Sequence, residues 1–448
     1  MKSFHIITFG CQMNEHDSER MTGILEARGG MSTHNAHDAD MIILNTCSIR
    51  EKAEQKFFSE LGRLKKLKEE RPGLMIAVAG CIAQQEGAAI LARAPHVDLV
   101  LGPSDISRLS GMVESKSSWS LPLIDISGDP EYHRTQLPTS RSDKLKAWVS
   151  IMYGCDNFCT YCVVPYLRGR ERSRPSEDIV NEIRGLARQG YREVTLLGQN
   201  VNSYGKGLHK DDSFSSLLKA INDVAGIERI RFVTSHPRDL SKELIAAIRD
   251  LPKVCESLHL PVQSGSNRIL ASMNRRYTRE EYLDKVAMLR DAVPGIALTT
   301  DIIVGFPGEN EHDFEMTLDL LKTVRYEGMF SFKYSKRPGT AALKLAGHLP
   351  DDVKEERLAI IMDLQKTIAM NINKGYLGTT QEILIDGVSK KGGMLCGRTR
   401  GHKVVNVDAP SSLIGTCINV TITACSDNSL TGDMLPESIN LHVAANDL

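Results

Sequence analysis

Cys155, Cys159 and Cys162 close the run Tyr153-Gly-Cys-Asp-Asn-Phe-Cys-Thr-Tyr-Cys162, three soft thiols within eight residues. That C-x3-C-x2-C spacing is tight enough to hold one metal centre from a single loop. It supplies three ligands where a closed structural zinc site takes four, usually as two pairs. No C-x2-C partner pair follows downstream. A 4Fe–4S cluster takes thiolate ligands, and three cysteines leave one of its irons open. S-adenosylmethionine carries an amine and a carboxylate suited to chelating such an iron. Zinc or plain buried thiols are the alternatives.

A second set is spread out. Cys11, Cys47 and Cys81 are 36 and 34 residues apart. Each ends a short apolar run (4–10, 41–45 and 74–79) and precedes a helix-like stretch, one β–α unit per step. Parallel strands would bring the three to one sheet edge. A helix N-terminus carries roughly half a positive charge, which favours thiolate over thiol and steadies a negative cluster. The pattern is read as a second 4Fe–4S cluster with an open iron. Convergent core thiols are the alternative. The C-x3-C-x2-C triplet resembles the signature of the radical S-adenosylmethionine superfamily, and that resemblance implies that one open cluster can turn S-adenosylmethionine into a carbon radical while the other presents sulfur. Together they imply sulfur insertion into an unactivated C–H bond, for which the cofactors carry the hard chemistry.

The elements that would position these thiols fall into an α/β multidomain pattern. Apolar runs at 4–10, 41–45, 74–79 and 97–101 alternate with helical stretches such as 49–67 and 82–94, as in an open parallel α/β sheet. Residues 115–145 are rich in Ser, Pro, Asp and Gly and read as a linker with room for a short strand at 121–126. From 146 to 336, strands at 147–153, 193–198, 229–234, 257–261, 297–306 and 329–334 alternate with helices at 176–189, 214–224, 242–250, 279–291 and 311–324, the sixth unit lacking a clear helix of its own. This is the pattern of a partial (β/α)6 TIM-like barrel, whose reactive groups gather at the C-terminal strand ends. The triplet follows the first of these strands. A long helix at 352–373 comes next. The tail, 378–441, alternates β-branched residues as in a small all-β barrel of about five strands.

Composition bounds the rest. The 448 residues carry a net charge of −1, so nucleic-acid contact has to come from local patches. No apolar run is long enough to suggest a membrane span, and the N-terminus lacks a signal-peptide pattern. Ten cysteines without a secretory signal point to a reducing cytoplasm. Cys255, Cys396, Cys417 and Cys425 read as small core residues.

Longer stretches carry a resemblance. They are Thr8-Phe-Gly-Cys-Gln-Met-Asn14 with Asp17-Ser-Glu19, Asn45-Thr-Cys-Ser-Ile-Arg50, Gly80-Cys81, Gly154-Cys155 through Cys162-Val-Val-Pro165, Arg168 through Pro175, Leu197-Gly-Gln-Asn-Val-Asn202, Leu258 through Ser266 and Asp301 through Glu309. The chain resembles the radical S-adenosylmethionine methylthiotransferases over essentially its whole length. The Cys-Gln-Met-Asn wording is similar to the branch acting on isopentenyladenosine in tRNA. The alternatives are branches acting on threonylcarbamoyl-adenosine tRNA or on a ribosomal protein.

The resemblance implies a methylthiotransferase domain at 1–118, a linker at 119–145, a radical core at 146–374 and a TRAM RNA-binding domain at 377–441. Cys155, Cys159 and Cys162 would hold the radical cluster, and Cys11, Cys47 and Cys81 the auxiliary one. Two S-adenosylmethionine molecules would be used per turnover. The reaction would methylthiolate carbon 2 of the adenine beside the anticodon. Partners would be tRNA, an electron donor such as flavodoxin or ferredoxin, and an iron–sulfur and sulfur supply system. Tyr161 is either an aromatic beside the cofactor adenine or a packing residue. Gln199 and Gln263, at strand ends, are cofactor contacts or structural; Leu197-Gly-Gln-Asn200 departs from the Gly-Gly-Glu common in the wider superfamily. Arg168, Arg170, Arg172 and Arg174 alternate, and would face phosphate or the cofactor carboxylate if extended. Lys390, Lys391, Arg398, Arg400, His402 and Lys403 form a basic patch on the tail, for RNA or simply solvated.

Overall fold

The computed structural model describes residues 2–48, 51–116, 121–129, 132, 137–389 and 392–435, with the backbone alone at 51–53. Ile49, Arg50, Lys390 and Lys391, named above, lie outside the described residues, as does the tail from 436.

Alternating apolar runs build a six-stranded N-terminal sheet. Its strands are β1 (Ser3–Thr8), β2 (Met31–Ser32), β3 (Met41–Thr46), β4 (Met75–Gly80), β5 (Leu99–Leu101) and β6 (Leu123–Asp125). They run in the order β2-β1-β3-β4-β5-β6, every pair parallel. All six residues of β3 are buried, as a strand covered on both faces requires. Met41 and Ile43 pack with Met21 and Leu25 of the helix Gln12–Glu26 on one face. Ile42 and Leu44 pack with Phe57 and Leu61 of the helix Glu51–Glu70 on the other. The short strand allowed for at 121–126 is β6, which extends the sheet edge from inside the segment read as linker.

The central domain has six parallel strands in chain order: β7 (Lys146–Ser150), β10 (Glu193–Leu197), β11 (Arg229–Phe232), β12 (Ser257–His259), β13 (Ala297–Val304) and β14 (Gly328–Lys333). They pair as β11-β10-β7 and β12-β13-β14, and a parallel bridge Ile230↔Val254 links the two groups. Helices cover the outside, several started by capping boxes, such as Thr278 with Glu281 and Asn310 with Asp313. The first expected strand is split. After β7, the two-residue β8 (Met152–Tyr153) pairs antiparallel with β9 (Arg172–Ser173), closing the base of the cysteine loop.

The sixth unit does have its helix. Asp351–Lys374, expected only as a separate long helix, buries Ile361 and Ile368 in the central core. It also carries the chain to the opposite end. Arg357 near its start bonds Glu309, just past the C-terminal end of β13. Gln365, further along, bonds the carbonyl of Tyr326 ahead of β14.

The chain then forms a closed five-stranded barrel: β15 (Thr380–Val388), β16 (Leu395–Thr399), β17 (Val404–Val407), β18 (Cys417–Cys425) and β19 (Leu430–Met434), in the order β15-β16-β17-β19-β18. Alternate residues Ile383, Ile385, Val405, Val407, Ile418 and Val420 fill it.

This barrel is mounted on the N-terminal ends of the central strands. Arg229 donates to the Arg398 carbonyl at 2.6 Å, and Arg231 to those of Thr399 and Arg400, both at 2.8 Å. Arg400 makes a two-pronged pair with Glu256 at 2.7 and 2.8 Å, Lys403 pairs with Glu327 at 2.7 Å, and Arg398 with Asp386 at 3.5 Å. The RNA reading of this patch is therefore corrected for Arg400 and Lys403, whose charges are spent on domain docking. A basic run in sequence does not reveal that acidic residues from another domain face it.

Candidate functional site

The triplet loop sits at the mouth of the partial barrel. Gly154 turns the chain there at φ +72°. A Cβ on it would lie 2.1 Å from the Arg170 carbonyl oxygen, so the loop needs glycine at this point. The Cys155 amide donates to the Gly169 carbonyl at 3.2 Å, and the Cys162 amide to the Cys159 carbonyl at 2.9 Å. The Thr160 amide and hydroxyl bond the carbonyls of Met273 and Ser272. Asn274 donates to the carbonyls of Asn157 and Phe158. Burial pushes the Cys155 thiol up to about 11 and Cys162 up to about 12, with Cys159 adding like-charge repulsion to both. Buried thiols that repel each other on ionising become thiolates only beside positive charge, which a bound metal supplies.

The chain adds one cation of its own. Arg275, buried, places Nη1 3.5 Å from Cys159 Sγ and 3.4 Å from the Tyr161 hydroxyl. Its other nitrogens bond the Pro261 carbonyl and the Tyr277 hydroxyl.

The second set converges as its spacing predicts. Cys11 is the N-cap of Gln12–Glu26, Cys47 follows β3, and Cys81 follows β4 directly. Because β1, β3 and β4 are neighbours, with Thr8 opposite Asn45 and Thr46 opposite Gly80, all three thiols lie at one edge. The approach is close. A Cβ at Gly10 (φ +120°) would stand 2.2 Å from Cys47 Cβ and 2.8 Å from its Sγ. A hydrogen bond from Cys47 brings the Cys11 thiol down to about 6, helped by the charge of Arg168 and opposed by burial. Burial raises Cys81.

Arg168 ties the two sets together. It is carried by the loop of Cys155, Cys159 and Cys162, six residues beyond Cys162, yet it reaches into the N-terminal domain. It pairs with Asp17 at 2.8 Å, only 6% and 0% of the two side chains remaining exposed. It also donates to Asn14 and stands beside Cys11 and Cys81. Cys81 itself packs against Val163 and Leu167, the former directly following Cys162. Two thiol triplets from two domains thus meet across one interface, each with a buried arginine. Arg20, bonded to the Tyr153 hydroxyl at 2.7 Å, and Arg337, paired with Glu54 at 3.0 Å, hold the N-terminal domain to this end.

The donor sets fit iron–sulfur clusters: six free thiols in two groups of three. Among the described residues, no three His, Cys, Asp or Glu side chains are placed to hold a single metal ion.

The remaining expectations fare unevenly. Tyr161 packs beside Met273, Phe306 and Tyr334. Gln199 has a buried Oε1 with no partner among the described residues. Gln263 is held at φ +75°, a strained conformation for a non-glycine residue, its amide and carbonyl bonded across to Asp301 and Ile303 of β13. The arginine row is not one ligand-facing row: Arg168 and Arg174 are buried in internal pairs with Asp17 and Glu182, and Arg170 pairs with Asp156 at the surface. Of the other cysteines, Cys255 is buried, but Cys417 is exposed beside Glu228, and Cys396 and Cys425 are half-buried. Sequence reasoning missed Arg275, Ser235 and His236. No spacing signals them, because they reach the mouth only through folding.

Three family models match the chain: the uncharacterized protein family UPF0004 over residues 3–102, the radical SAM superfamily over 149–321 and the TRAM domain over 374–435. A tRNA-2-methylthio-N(6)-dimethylallyladenosine synthase of Thermodesulfovibrio yellowstonii is 50% identical over 434 residues, 97% of this chain and 99% of that protein. The protein of that name from Pelotomaculum thermopropionicum is 47% identical over 446 residues, 99% of each. Among solved structures, the radical S-adenosylmethionine methyltransferase TsrM of Kitasatospora setae, with cobalamin and a [4Fe-4S] cluster bound, aligns at TM-score 0.55 and 16% identity over 77% of both chains, a likeness of fold. With near-full-length identity close to one half and a match to the radical SAM superfamily, the chain belongs to the radical SAM tRNA-2-methylthio-N(6)-dimethylallyladenosine synthase family.

Proposed function

We propose that this chain methylthiolates carbon 2 of N6-isopentenyladenosine beside the anticodon of tRNA, a transferase using two 4Fe–4S clusters and two S-adenosylmethionine molecules per turnover. The observation that carries the reading is the meeting of the two thiol triplets across the Arg168 junction. Cys155, Cys159 and Cys162 would hold one cluster, and Cys11, Cys47 and Cys81 the other. When bound, the clusters and S-adenosylmethionine supply hydrogen abstraction from an unreactive carbon and the sulfur and methyl that replace it.

The residues supply placement and exclusion of water. Arg275 and Arg168 offset thiolate charge in sites too buried for solvent to do so. The Gly10 and Gly154 turns let backbone and thiols approach. The N-terminal domain, seated on the mouth, holds its triplet against the radical loop. Gln199, past the end of β10, and Gln263, past β12 and paired with the C-terminal half of β13, present polar contacts for the cofactor. The barrel mounted at the opposite end is read as an RNA-holding module, which requires the tRNA to extend along the body while its base enters the mouth. An electron donor such as flavodoxin or ferredoxin and a sulfur supply system would serve the clusters. The free thiols suit a reducing cytoplasm, and no described helix is long and apolar enough to cross a membrane.

Nucleoside mass spectrometry of tRNA from a deletion strain tests the substrate. Loss of 2-methylthio-isopentenyladenosine, restored by the gene, is expected; its persistence refutes the assignment. Anaerobic reconstitution tests the cofactors. About eight irons per chain are expected from two clusters, and about four would remove the auxiliary one.

A further inference from the structure

The loop after β11 brings unassigned polar atoms to the mouth. His236 is 5% exposed, and its Nε2 has no partner among the described residues. Three more buried atoms nearby in the strand-end loops are equally without one: Ser235 Oγ, Gln199 Oε1 and Asn200 Oδ1. Buried polar atoms left unpaired are costly unless something else meets them.

The His236 ring is fixed in place and in tautomer. Its Nδ1 accepts the Arg238 amide at 3.2 Å, so in a neutral ring the proton lies on Nε2. Asn202 clamps its backbone from both sides, accepting from its amide at 2.8 Å and donating to its carbonyl at 2.9 Å. Tyr277 meets the ring edge-on at 5.7 Å. Through Tyr277, His236 stands one side chain from Arg275, which contacts Cys159. Arg238 in turn reaches Asn157, inside the cysteine loop. Burial, then the charges of Arg275, Arg238 and Lys285, keep the imidazole uncharged. The result is one rigid, neutral N–H donor at the mouth, beside amide oxygens that accept.

A neutral donor next to acceptors suits a neutral heterocycle with ring nitrogens and an amine, and suits an anion poorly. We propose that His236 Nε2–H donates to an adenine ring nitrogen bound in the barrel mouth. This rests on the functional reading above, under which both ligands, S-adenosylmethionine and the target nucleoside, are adenosines.

Two substitutions separate recognition from structure. In His236→Asn, the amide oxygen takes the place of Nδ1 and still caps the Arg238 amide, but the distal donor is gone. In His236→Gln, an amide N–H reaches toward the Nε2 position while the cap is lost. Binding to the cluster-loaded enzyme is measured by calorimetry in two arms. One titrates S-adenosylmethionine; the other titrates an anticodon stem-loop RNA bearing isopentenyladenosine. H236N is expected to weaken one arm by about tenfold, and H236Q to stay several-fold closer to wild type. The weakened arm identifies which adenosine is held. Wild-type affinity of H236N in both arms, or H236Q weaker than H236N, overturns the proposal, since a capping role alone would give that order. If wild-type enzyme forms no 2-methylthio-isopentenyladenosine, the functional reading fails instead, and the two binding arms still judge His236.

Discussion

Replacing Gly10 by alanine tests whether Cys11 and Cys47 must approach as closely as they do. The new Cβ would stand 2.2 Å from Cys47 Cβ, 2.8 Å from its Sγ and 3.6 Å from its Cα. Those atoms lie at the end of a strand buried along its whole length, so they cannot swing aside as the tip of an exposed side chain could. The backbone at φ +120° adds a second cost, since a residue with a Cβ rarely adopts it. Strain of about 1–3 kcal/mol from the backbone and about 1–3 kcal/mol from overpacking total about 2–6 kcal/mol. Relief comes most easily by moving Cys47 away from Cys11, and that unmakes the auxiliary triplet. The radical triplet, on a different loop, should be spared. Anaerobic reconstitution of Gly10→Ala should therefore give about four irons in place of about eight. 5′-Deoxyadenosine should still form on reduction, while 2-methylthio-isopentenyladenosine in tRNA is lost. A variant with the full iron complement and wild-type product would refute the reasoning.

Changing any of Cys155, Cys159 or Cys162 to Ala should abolish 5′-deoxyadenosine formation, measured by chromatography of the reduced mixture; the same change at Cys81 should spare it and stop methylthiolation. Arg168→Met leaves Asp17 buried and unpaired, at a cost of about 3–5 kcal/mol, read as a lowered denaturation midpoint. Adding Asp17→Asn should recover part of that loss, and no recovery would mean the pair is not the cause. Arg275→Met removes positive charge beside Cys159, so the radical cluster's reduction potential should become more negative, as followed by spectroscopic titration. Arg400→Ala should loosen the C-terminal barrel by about 1–3 kcal/mol and raise KM for tRNA, while tRNA-independent 5′-deoxyadenosine formation stays within about twofold.

Several of these residues could be read in the sequence and several could not. The 155–159–162 spacing is local chemistry, since a C-x3-C-x2-C loop holds its thiols together whatever surrounds it. The 11–47–81 set was legible because a parallel sheet repeats one β–α unit per step, so equivalent positions fall on one edge. The burial of β3 and the alternation of β18 followed from strand geometry alone. Arg168 shows where this ends. In sequence it belongs to an alternating basic run, and only the packing of two domains takes it out of solvent and sets it against Asp17, 151 residues away. Arg400 and Lys403 looked like a patch for RNA until Glu256 and Glu327 were brought opposite them.

The sequence by itself therefore determined the two groups of three thiols, the element order and the class of chemistry, because these depend on residue type and on spacing within one repeating unit. Tertiary structure alone decided which charges are buried, that the C-terminal barrel sits at the far end from the mouth, that Arg275 stands beside Cys159 and that His236 reaches Arg275 through Tyr277. Those outcomes are contacts between segments distant in the chain, and a side chain's charge does not reveal which surface will cover it.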